Sequence, residues 1–167
     1  MVLVGPPAAG KTTVGQLLAE RLGVPFVDTD DLVVARAGKP VSEIFVDDGE
    51  EEFRRLEAEA VADALTRDAV VALGGGAVLA ERTRTRLAGH PVVLLGAGVP
   101  TSAARVGMNR DRPLLLGNPR QRLRELLGER LPLYREVAVA EVDTDHRTPD
   151  EVADAVLAAL AAAADRP

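Results

Sequence analysis

The sequence feature that most restricts the fold is a glycine-rich loop between a short apolar run and a helical pattern. The loop follows Val2–Val4 and matches the pattern G-x-x-x-x-G-K-[ST]. Its residues are Gly5, Pro6, Pro7, Ala8, Ala9, Gly10, Lys11 and Thr12. Apolar residues then recur at helical spacing as far as Leu22, and Gly23 ends the helix. A strand, this loop and a helix, in that order, indicate a P-loop domain.

The loop is a candidate phosphate-binding site. Its backbone N–H groups and the positive end of the following helix would surround phosphate oxygens, and Thr13 would add to this cradle. Lys11 would reach the terminal phosphates, and the Thr12 hydroxyl would bind Mg²⁺. Of the 20 basic residues only Lys11 and Lys39 are lysine, so a lysine at the required position is informative. The alternative interpretation is a glycine-rich turn that binds nothing.

Strand-like and helix-like segments alternate along the rest of the chain. Buried strands are predicted at 25–28, 69–73 and 91–95, and a weaker fifth strand at 137–142. The sequence Thr148-Pro149-Asp150-Glu151 is a capping box that opens the last helix. With 167 residues and no linker, the chain is predicted to be one α/β domain on a five-stranded parallel sheet, spanning 1–167.

Composition excludes several classes of function. The chain has no cysteine, and its two histidines lie far apart, so a zinc site is not expected. A net charge of −6 and only four aromatic residues argue against nucleic-acid binding. No apolar run approaches the length of a membrane span, and the first residues lack a signal-peptide pattern. We therefore expect a cytoplasmic protein, acting as a monomer on small molecules, with no nucleic-acid or membrane partner.

Two carboxylates close the second predicted strand. Asp28 and Asp30 should emerge at the same sheet edge as the phosphate loop. Such groups can hold Mg²⁺, directly or through water, and can accept the proton of a substrate hydroxyl. Capping of the next helix is an equally good interpretation of these residues.

Three consecutive glycines follow the third predicted strand. Gly74, Gly75 and Gly76 would let another molecule approach the backbone closely where open α/β sheets bind ligands. A flexible turn is the alternative. The strand does not end in the acidic residues typical of ATPase motors, and no N/T-K-x-D-like sequence for base recognition is present. A small-molecule kinase is therefore favoured over a motor or a GTPase.

Arginines are the candidate groups for an anionic substrate. Acidic neighbours at i,i+4 spacing make Arg54 and Arg55, taken alone, a solvated helix face. Arg112 lies in the unusually long segment 107–119, a candidate lid, and Arg130 precedes Pro132. Together these arginines predict a cationic site for a carboxylate or a phosphate.

Taken together, these segments resemble the shikimate kinase family, P-loop kinases that phosphorylate the 3-hydroxyl of shikimate with ATP. The resemblance covers nearly the whole chain. Besides the loop and residues 28–30, it rests on Glu52-Phe53-Arg54-Arg55, Leu73-Gly74-Gly75-Gly76, Arg112-Pro113-Leu114-Leu115 and Arg130 before Pro132-Leu133-Tyr134. It implies strand order 2-3-1-4-5 flanked by helices, a substrate-binding region near 29–57 and a mobile lid near 107–119.

The resemblance also implies a role for each site residue. Asp30 would face the reacting hydroxyl, and Arg112 would come down from the lid toward the transferred phosphoryl group. Asp28 would help to arrange Mg²⁺ through water. Residues of the substrate site would be Val41, Phe45, Phe53, Arg54, Gly74, Gly75, Gly76 and Arg130. Residues bordering adenine would be Arg105, Arg147 and Pro149.

One departure from the family pattern concerns the phosphate loop. Family members usually have glycine where this chain has Ala8. If that position requires a positive φ, alanine costs about 1 kcal/mol or more of strain. Two other functions stay open: a related small-metabolite kinase, such as a gluconate kinase, and a kinase-like protein that binds ATP without transfer.

Overall fold

The computed structural model describes residues 1–107 and 118–165. Within this part of the chain, strands and helices alternate from the first residues onward. The strands are β1 (Val2–Val4), β2 (Phe26–Asp28), β3 (Val70–Ala72), β4 (Val92–Gly96) and β5 (Ala140–Asp143). The helices are α1 (Lys11–Leu22), α2 (Thr29–Ala37), α3 (Val41–Asp47), α4 (Gly49–Ala64), α5 (Glu81–Leu87), α6 (Val99–Gly107), α7 (Pro119–Val137) and α8 (Pro149–Ala164). A short 3-10 helix spans Ala77–Leu79.

The five strands form one parallel sheet in the order β2-β3-β1-β4-β5. This confirms the expected topology. Val2 of the central strand β1 pairs with Val71 of β3 and with Val92 of β4. Because all strands run in one direction, the loops that follow β1, β2 and β3 leave the same edge of the sheet side by side. That edge gathers the phosphate loop, the Asp28 to Asp30 corner and the three glycines.

Alternate strand residues build two cores on opposite faces of the sheet. Leu3, Val93 and Leu95 contribute to a cluster that includes residues of α1 and α8. Their neighbours Val2 and Leu94 contribute to a cluster that includes residues of α4, α5 and α7. Each of these strand residues is at most 1% exposed, as the continuous apolar runs predict for a sheet covered on both sides.

A third, smaller cluster lies away from the sheet. Val33 of α2, Ile44 of α3, and Phe53 and Ala60 of α4 are all buried in it. These three helices contain most of the expected substrate region 29–57. The region therefore has a core of its own, which fixes α4 relative to α2 and α3.

Helix ends follow the sequence signals closely. Gly23 caps α1 in the left-handed conformation with φ 67°. Thr148 and Glu151 form the expected capping box, in which each side chain accepts the backbone N–H of the other residue. The described helices include none that is both long enough and apolar enough to cross a membrane.

The predicted start of the fifth strand was wrong. Helix α7 continues to Val137, and β5 begins at Ala140. Val137 and Ala138 pack against the first core as the end of the helix. A short apolar run is compatible with either a strand or the buried end of a helix, so periodicity could not place this boundary.

Candidate active site at the carboxyl edge of the sheet

The phosphate loop wraps closely around the start of α1. Gly5 has φ 149°, and a Cβ there would collide with the carbonyl oxygen of Leu95, so only glycine fits. Gly10 has φ 92° and caps α1. The Lys11 ammonium donates to the carbonyl oxygens of Gly5 at 2.8 Å and Pro6 at 2.9 Å. The lysine therefore lies across the loop, where the N-terminal N–H groups of α1 also provide anion-binding donors.

Ala8 occupies a left-handed conformation with φ 63°. The expected condition for strain is therefore met, because a Cβ in this region costs roughly 1–2 kcal/mol. The loop therefore adopts the backbone conformation that normally favours glycine, and the strain lies at Ala8.

Asp28 caps helix α2 and also accepts a hydrogen bond from the phosphate loop. One carboxylate oxygen accepts the Asp30 N–H at 2.9 Å and caps α2. The other accepts the Thr12 hydroxyl at 3.0 Å. A hydroxyl and a carboxylate beside a phosphate loop are the oxygen ligands that Mg²⁺ prefers. Within residues 1–107 and 118–165, no group of three or more His, Asp or Glu could hold a metal without additional ligands. A cation here would thus also need phosphate or water oxygens.

The three glycines make room for the side chains opposite them. A Cβ at Gly74 would lie 2.6 Å from an Asp30 carboxylate oxygen and 2.8 Å from a Glu57 carboxylate oxygen. A Cβ at Gly76 would lie 2.7 Å from the central carbon of the Arg54 guanidinium. The geometry agrees with close approach to the backbone rather than with a flexible turn. It also brings Asp30 and Arg54 to the same glycine segment.

Arg54 does not lie on a solvated face. Its side chain is 19% exposed and donates at 2.7 Å to Glu57, whose side chain is 4% exposed. The Arg54 guanidinium also lies 5.2 Å from the centre of the Phe53 ring. Arg55 does match the solvated interpretation, since it is 50% exposed and pairs with Glu52 and Glu59. Tertiary packing separates two adjacent arginines that the sequence pattern treats alike.

Glu57 is a buried acidic residue that interacts with both Arg54 and Arg130. Burial raises the pKa of the Glu57 carboxyl to about 7, although the positive charges of Arg54 and Arg130 act in the opposite direction. The Asp30 carboxylate raises it further. These interactions place Asp30, Arg54, Glu57 and Arg130 in one electrostatic cluster.

Arg130 is a buried arginine. It is 6% exposed, and its Nε–H has no hydrogen-bond partner among the described residues. A buried guanidinium N–H without an acceptor is costly, so it indicates an anionic ligand that completes the site. A carboxylate suits a guanidinium because it can accept two parallel hydrogen bonds.

Apolar side chains border this cluster. Phe45 and Phe53 lie with ring centres 4.7 Å apart and planes tilted by 37°. Val41 and Phe45 pack, partly buried, against the third core. The expected apolar residues are thus together next to Arg54.

A cavity lies beside the end of the phosphate loop and the start of α1. It has a volume of about 200 Å³. Its lining residues are Ala9, Gly10, Thr13, Val14, Thr144, Arg147, Pro149 and Val152. This brings Arg147 and Pro149, both expected beside adenine, to the end of the loop. Arg105 belongs to α6, but its side chain is outside the described part, as are Arg112 and most of the expected lid.

Several residues of the site were missed from sequence. Glu57 lies on the buried face of α4 together with Phe53, Ala60 and Ala64. An acidic residue on an otherwise apolar helix face was the one feature of the sequence that could have identified it as a site residue. Thr29, Tyr134 and Thr144 are buried polar residues next to predicted site residues. Neither periodicity nor charge distinguishes them from ordinary neighbours.

Comparison with known proteins agrees with this geometry. The shikimate kinase family model matches residues 7–161. The shikimate kinase of Thermobifida fusca is 58% identical over 165 residues, covering 98% of this chain and 96% of the relative. That of Salinispora arenicola is 59% identical over 162 residues, covering 96% and 97%.

A solved structure shows the same fold. Shikimate kinase from Acinetobacter baumannii, in complex with shikimate, superposes with a TM-score of 0.94 at 38% identity, covering 99% of this chain and 94% of that one. Fold and site together define a P-loop small-molecule kinase. The chain belongs to the shikimate kinase family.

Proposed function

We propose that this protein transfers the γ-phosphoryl group of ATP to the 3-hydroxyl of shikimate, giving shikimate 3-phosphate and ADP on the route to aromatic amino acids. The observation that carries the proposal is the buried Arg130 Nε–H, which has no acceptor within residues 1–107 and 118–165 and lies in one electrostatic cluster with Arg54 and Asp30. A small hydroxy acid offers what this arrangement requires, a carboxylate for the arginines and a hydroxyl for Asp30.

Arg54 and Arg130 bind the shikimate carboxylate in this proposal. Glu57 holds Arg54 from behind, and the Phe53 ring supports its guanidinium. Val41, Phe45 and Phe53 cover the ring of the substrate, while Gly74, Gly75 and Gly76 provide backbone contact to its hydroxyls. The substrate is thereby fixed at its carboxylate end, which orients the opposite side of the ring toward the phosphate loop.

Asp30 accepts the proton of the 3-hydroxyl as that oxygen attacks the γ-phosphorus. The bond from the γ-phosphorus to the bridging oxygen of ADP then breaks, and the negative charge passes to the ADP oxygen. Lys11 and the loop N–H groups stabilise the charge of the transferred group. Arg112, whose position lies outside the described residues, would add a positive charge from the lid at 107–119.

Thr12 and Asp28 are the residues that would hold Mg²⁺ with the phosphates of ATP, with Asp28 acting through water. The cation would neutralise phosphate charge and help to orient the γ-phosphoryl group. Arg105, Arg147 and Pro149 would enclose the adenine at the cavity beside the end of the phosphate loop. We place substrate recognition in 29–57 and the whole activity in one domain, working as a monomer in the cytoplasm without nucleic-acid or membrane partners.

Turnover of alternative acceptors tests the proposal directly. The purified protein is given MgATP with shikimate or with gluconate, and ADP release is followed. We expect ADP release with shikimate. Release with gluconate alone would make the chain a different metabolite kinase, and nucleotide binding without turnover on either acceptor would leave a kinase-like binding protein.

A pair of neighbouring carboxylates tests the role of Asp30. If Asp30 accepts the proton, Asp30→Asn lowers kcat with shikimate by about 10²–10⁴-fold. Asp31→Asn, at the exposed next position of α2, is the matched control and should leave kcat nearly unchanged. Equal effects of the two substitutions would contradict the assignment.

A further inference from the structure

Two buried hydroxyls form hydrogen bonds with the backbone of the glycine segment 74–76. The Gly74 N–H donates at 3.0 Å to the hydroxyl of Thr29, which is fully buried. The Tyr134 hydroxyl donates to the carbonyl oxygen of Gly75. Each bond joins parts of the chain that are far apart in sequence, so neither results from local turn geometry.

Each hydroxyl belongs to a helix that carries a site residue. Thr29 directly precedes Asp30 at the start of α2. Tyr134 lies four residues after Arg130 on α7, so the two side chains lie on the same side of that helix. The glycine segment is therefore bonded to the element of the proton acceptor on one side and to that of the carboxylate-binding arginine on the other.

Both hydrogen bonds are shielded from water, because the side chains of Thr29 and Tyr134 are buried. Tyr134 is 1% exposed within the first core. Burial raises the pKa of its phenol to about 12, opposed by the charge of Arg130, so the hydroxyl remains a donor throughout the working pH range. A buried amide or carbonyl that lost such a partner would be left unsatisfied, which makes each bond a strong constraint.

We propose that Thr29 and Tyr134 are positioning residues, which set the separation between Asp30 and Arg130 by holding segment 74–76 between α2 and α7. The inference rests on the proposed function, because it concerns the distance between the group that accepts the proton of the 3-hydroxyl and the arginine that binds the shikimate carboxylate. Shikimate is rigid, so a shift of segment 74–76 would leave one of its two ends misplaced. Loss of either hydroxyl should therefore lower kcat/KM for shikimate and leave the affinity for ATP nearly unchanged.

The test compares two variants that each remove one buried hydroxyl, and in Tyr134→Phe the hydrogen bond between that hydroxyl and the Arg130 side chain is lost as well. Tyr134→Phe keeps the buried ring, and Thr29→Val keeps the side-chain shape. We expect each to lower kcat/KM for shikimate about tenfold, with KM for ATP changed less than twofold. Thr29→Ser, which restores the acceptor, should recover most of the loss.

Two controls separate positioning from general destabilisation. Val156→Ala removes buried volume from the other face of the sheet, and its loss of thermal stability is compared with those of the two variants. The carboxamide of shikimate, which cannot form the ion pair, serves as a second acceptor. The rate of phosphorylation of the carboxamide should fall less than twofold in Tyr134→Phe and Thr29→Val. The arginines do not fix the carboxamide group, so this acceptor depends less on the distance between Asp30 and Arg130.

The outcomes are distinct. Equal losses for shikimate and its carboxamide, or losses no larger than in Val156→Ala, would overturn the positioning role while leaving the proposed function intact. A wild-type protein that does not phosphorylate shikimate would overturn the proposed function, and this inference with it.

Discussion

Arg54 and Glu57 form an ion pair one helical turn apart, with an Nη1 to Oε2 distance of 2.7 Å, and the glutamate is almost completely buried. Buried carboxylates are costly unless they are paired, and removing the partner of such a pair leaves an uncompensated charge. The pair therefore joins the stability of the protein to the orientation of the arginine that we propose binds the substrate carboxylate.

The free energy of unfolding should depend on pH through Glu57. Burial raises the pKa of Glu57 from its ordinary 4.5 to about 7, so between these values the folded protein holds a proton that the unfolded chain has released. The contribution of Glu57 to stability is therefore complete below pH 4.5 and is lost as the pH rises through about 7. The full effect is about 3 kcal/mol. We expect urea unfolding at pH 5 to 8 to show this loss in the wild type, relative to Glu57→Gln.

The matched control is Glu50→Gln. Glu50 is the other acidic partner of Arg54, but its side chain is 62% exposed, and its pair is longer, at 3.5 Å. Its pH profile should run parallel to that of the wild type. A Glu57→Gln profile that also runs parallel would show that Glu57 does not titrate in this range.

The second prediction uses the close approach at Gly76. A Cβ at this position would displace the Arg54 guanidinium, which is the flexible end of a side chain, so Gly76→Ala should fold. We expect KM for shikimate to rise at least about tenfold as one arginine loses its position, with KM for ATP unchanged. Gly128→Ala, at an exposed position of α7, is the control, since a Cβ there would meet nothing within 4 Å in the described part of the chain. Equal KM values for the two variants would contradict this role of Gly76.

Sequence and resemblance predicted the sheet order, the phosphate loop and the segments that form the site. The phosphate loop and the strands follow from local patterns, such as the spacing of glycines and lysine in the loop and the apolar runs of β1, β3 and β4, whereas the sheet order follows from the family resemblance alone. The surroundings of Arg54 and Glu57 could not be predicted in this way. Arg54 and Arg55 both follow acidic residues at three and four positions earlier in the chain, and the packing of α4 against the glycine segment buries only Arg54.

The partners of the glycines were also beyond sequence reasoning. Three glycines after a strand indicate that something approaches the backbone, but not what. The structure identifies Asp30, Glu57 and Arg54 as the groups beside Gly74 and Gly76. Thr29 and Tyr134 bond to the segment across 45 and 59 residues of sequence, distances over which spacing carries no information.

The third prediction separates the two roles of Asp28. Asparagine keeps a side-chain oxygen for the Asp30 N–H but has no charge, so Asp28→Asn should retain the helix cap. We expect the Mg²⁺ concentration for half-maximal rate to rise about tenfold while unfolding free energy changes by less than about 0.5 kcal/mol. Asp28→Ala should show the same magnesium defect and lose about 1 kcal/mol more. An unchanged magnesium requirement in Asp28→Asn would leave Asp28 as a helix cap alone.

The fourth prediction concerns the strained loop residue. Ala8→Gly removes about 1–2 kcal/mol of left-handed strain at φ 63° but makes the unfolded chain more flexible, which offsets part of the gain. We expect the free energy of unfolding, measured in urea without nucleotide, to rise by about 0.5–1 kcal/mol. Ala9→Gly, at a fully buried neighbour without positive φ, should instead lower it by about 1 kcal/mol. Destabilisation by both substitutions would mean that the loop accommodates Ala8 without strain, and the departure from the family pattern would then cost nothing.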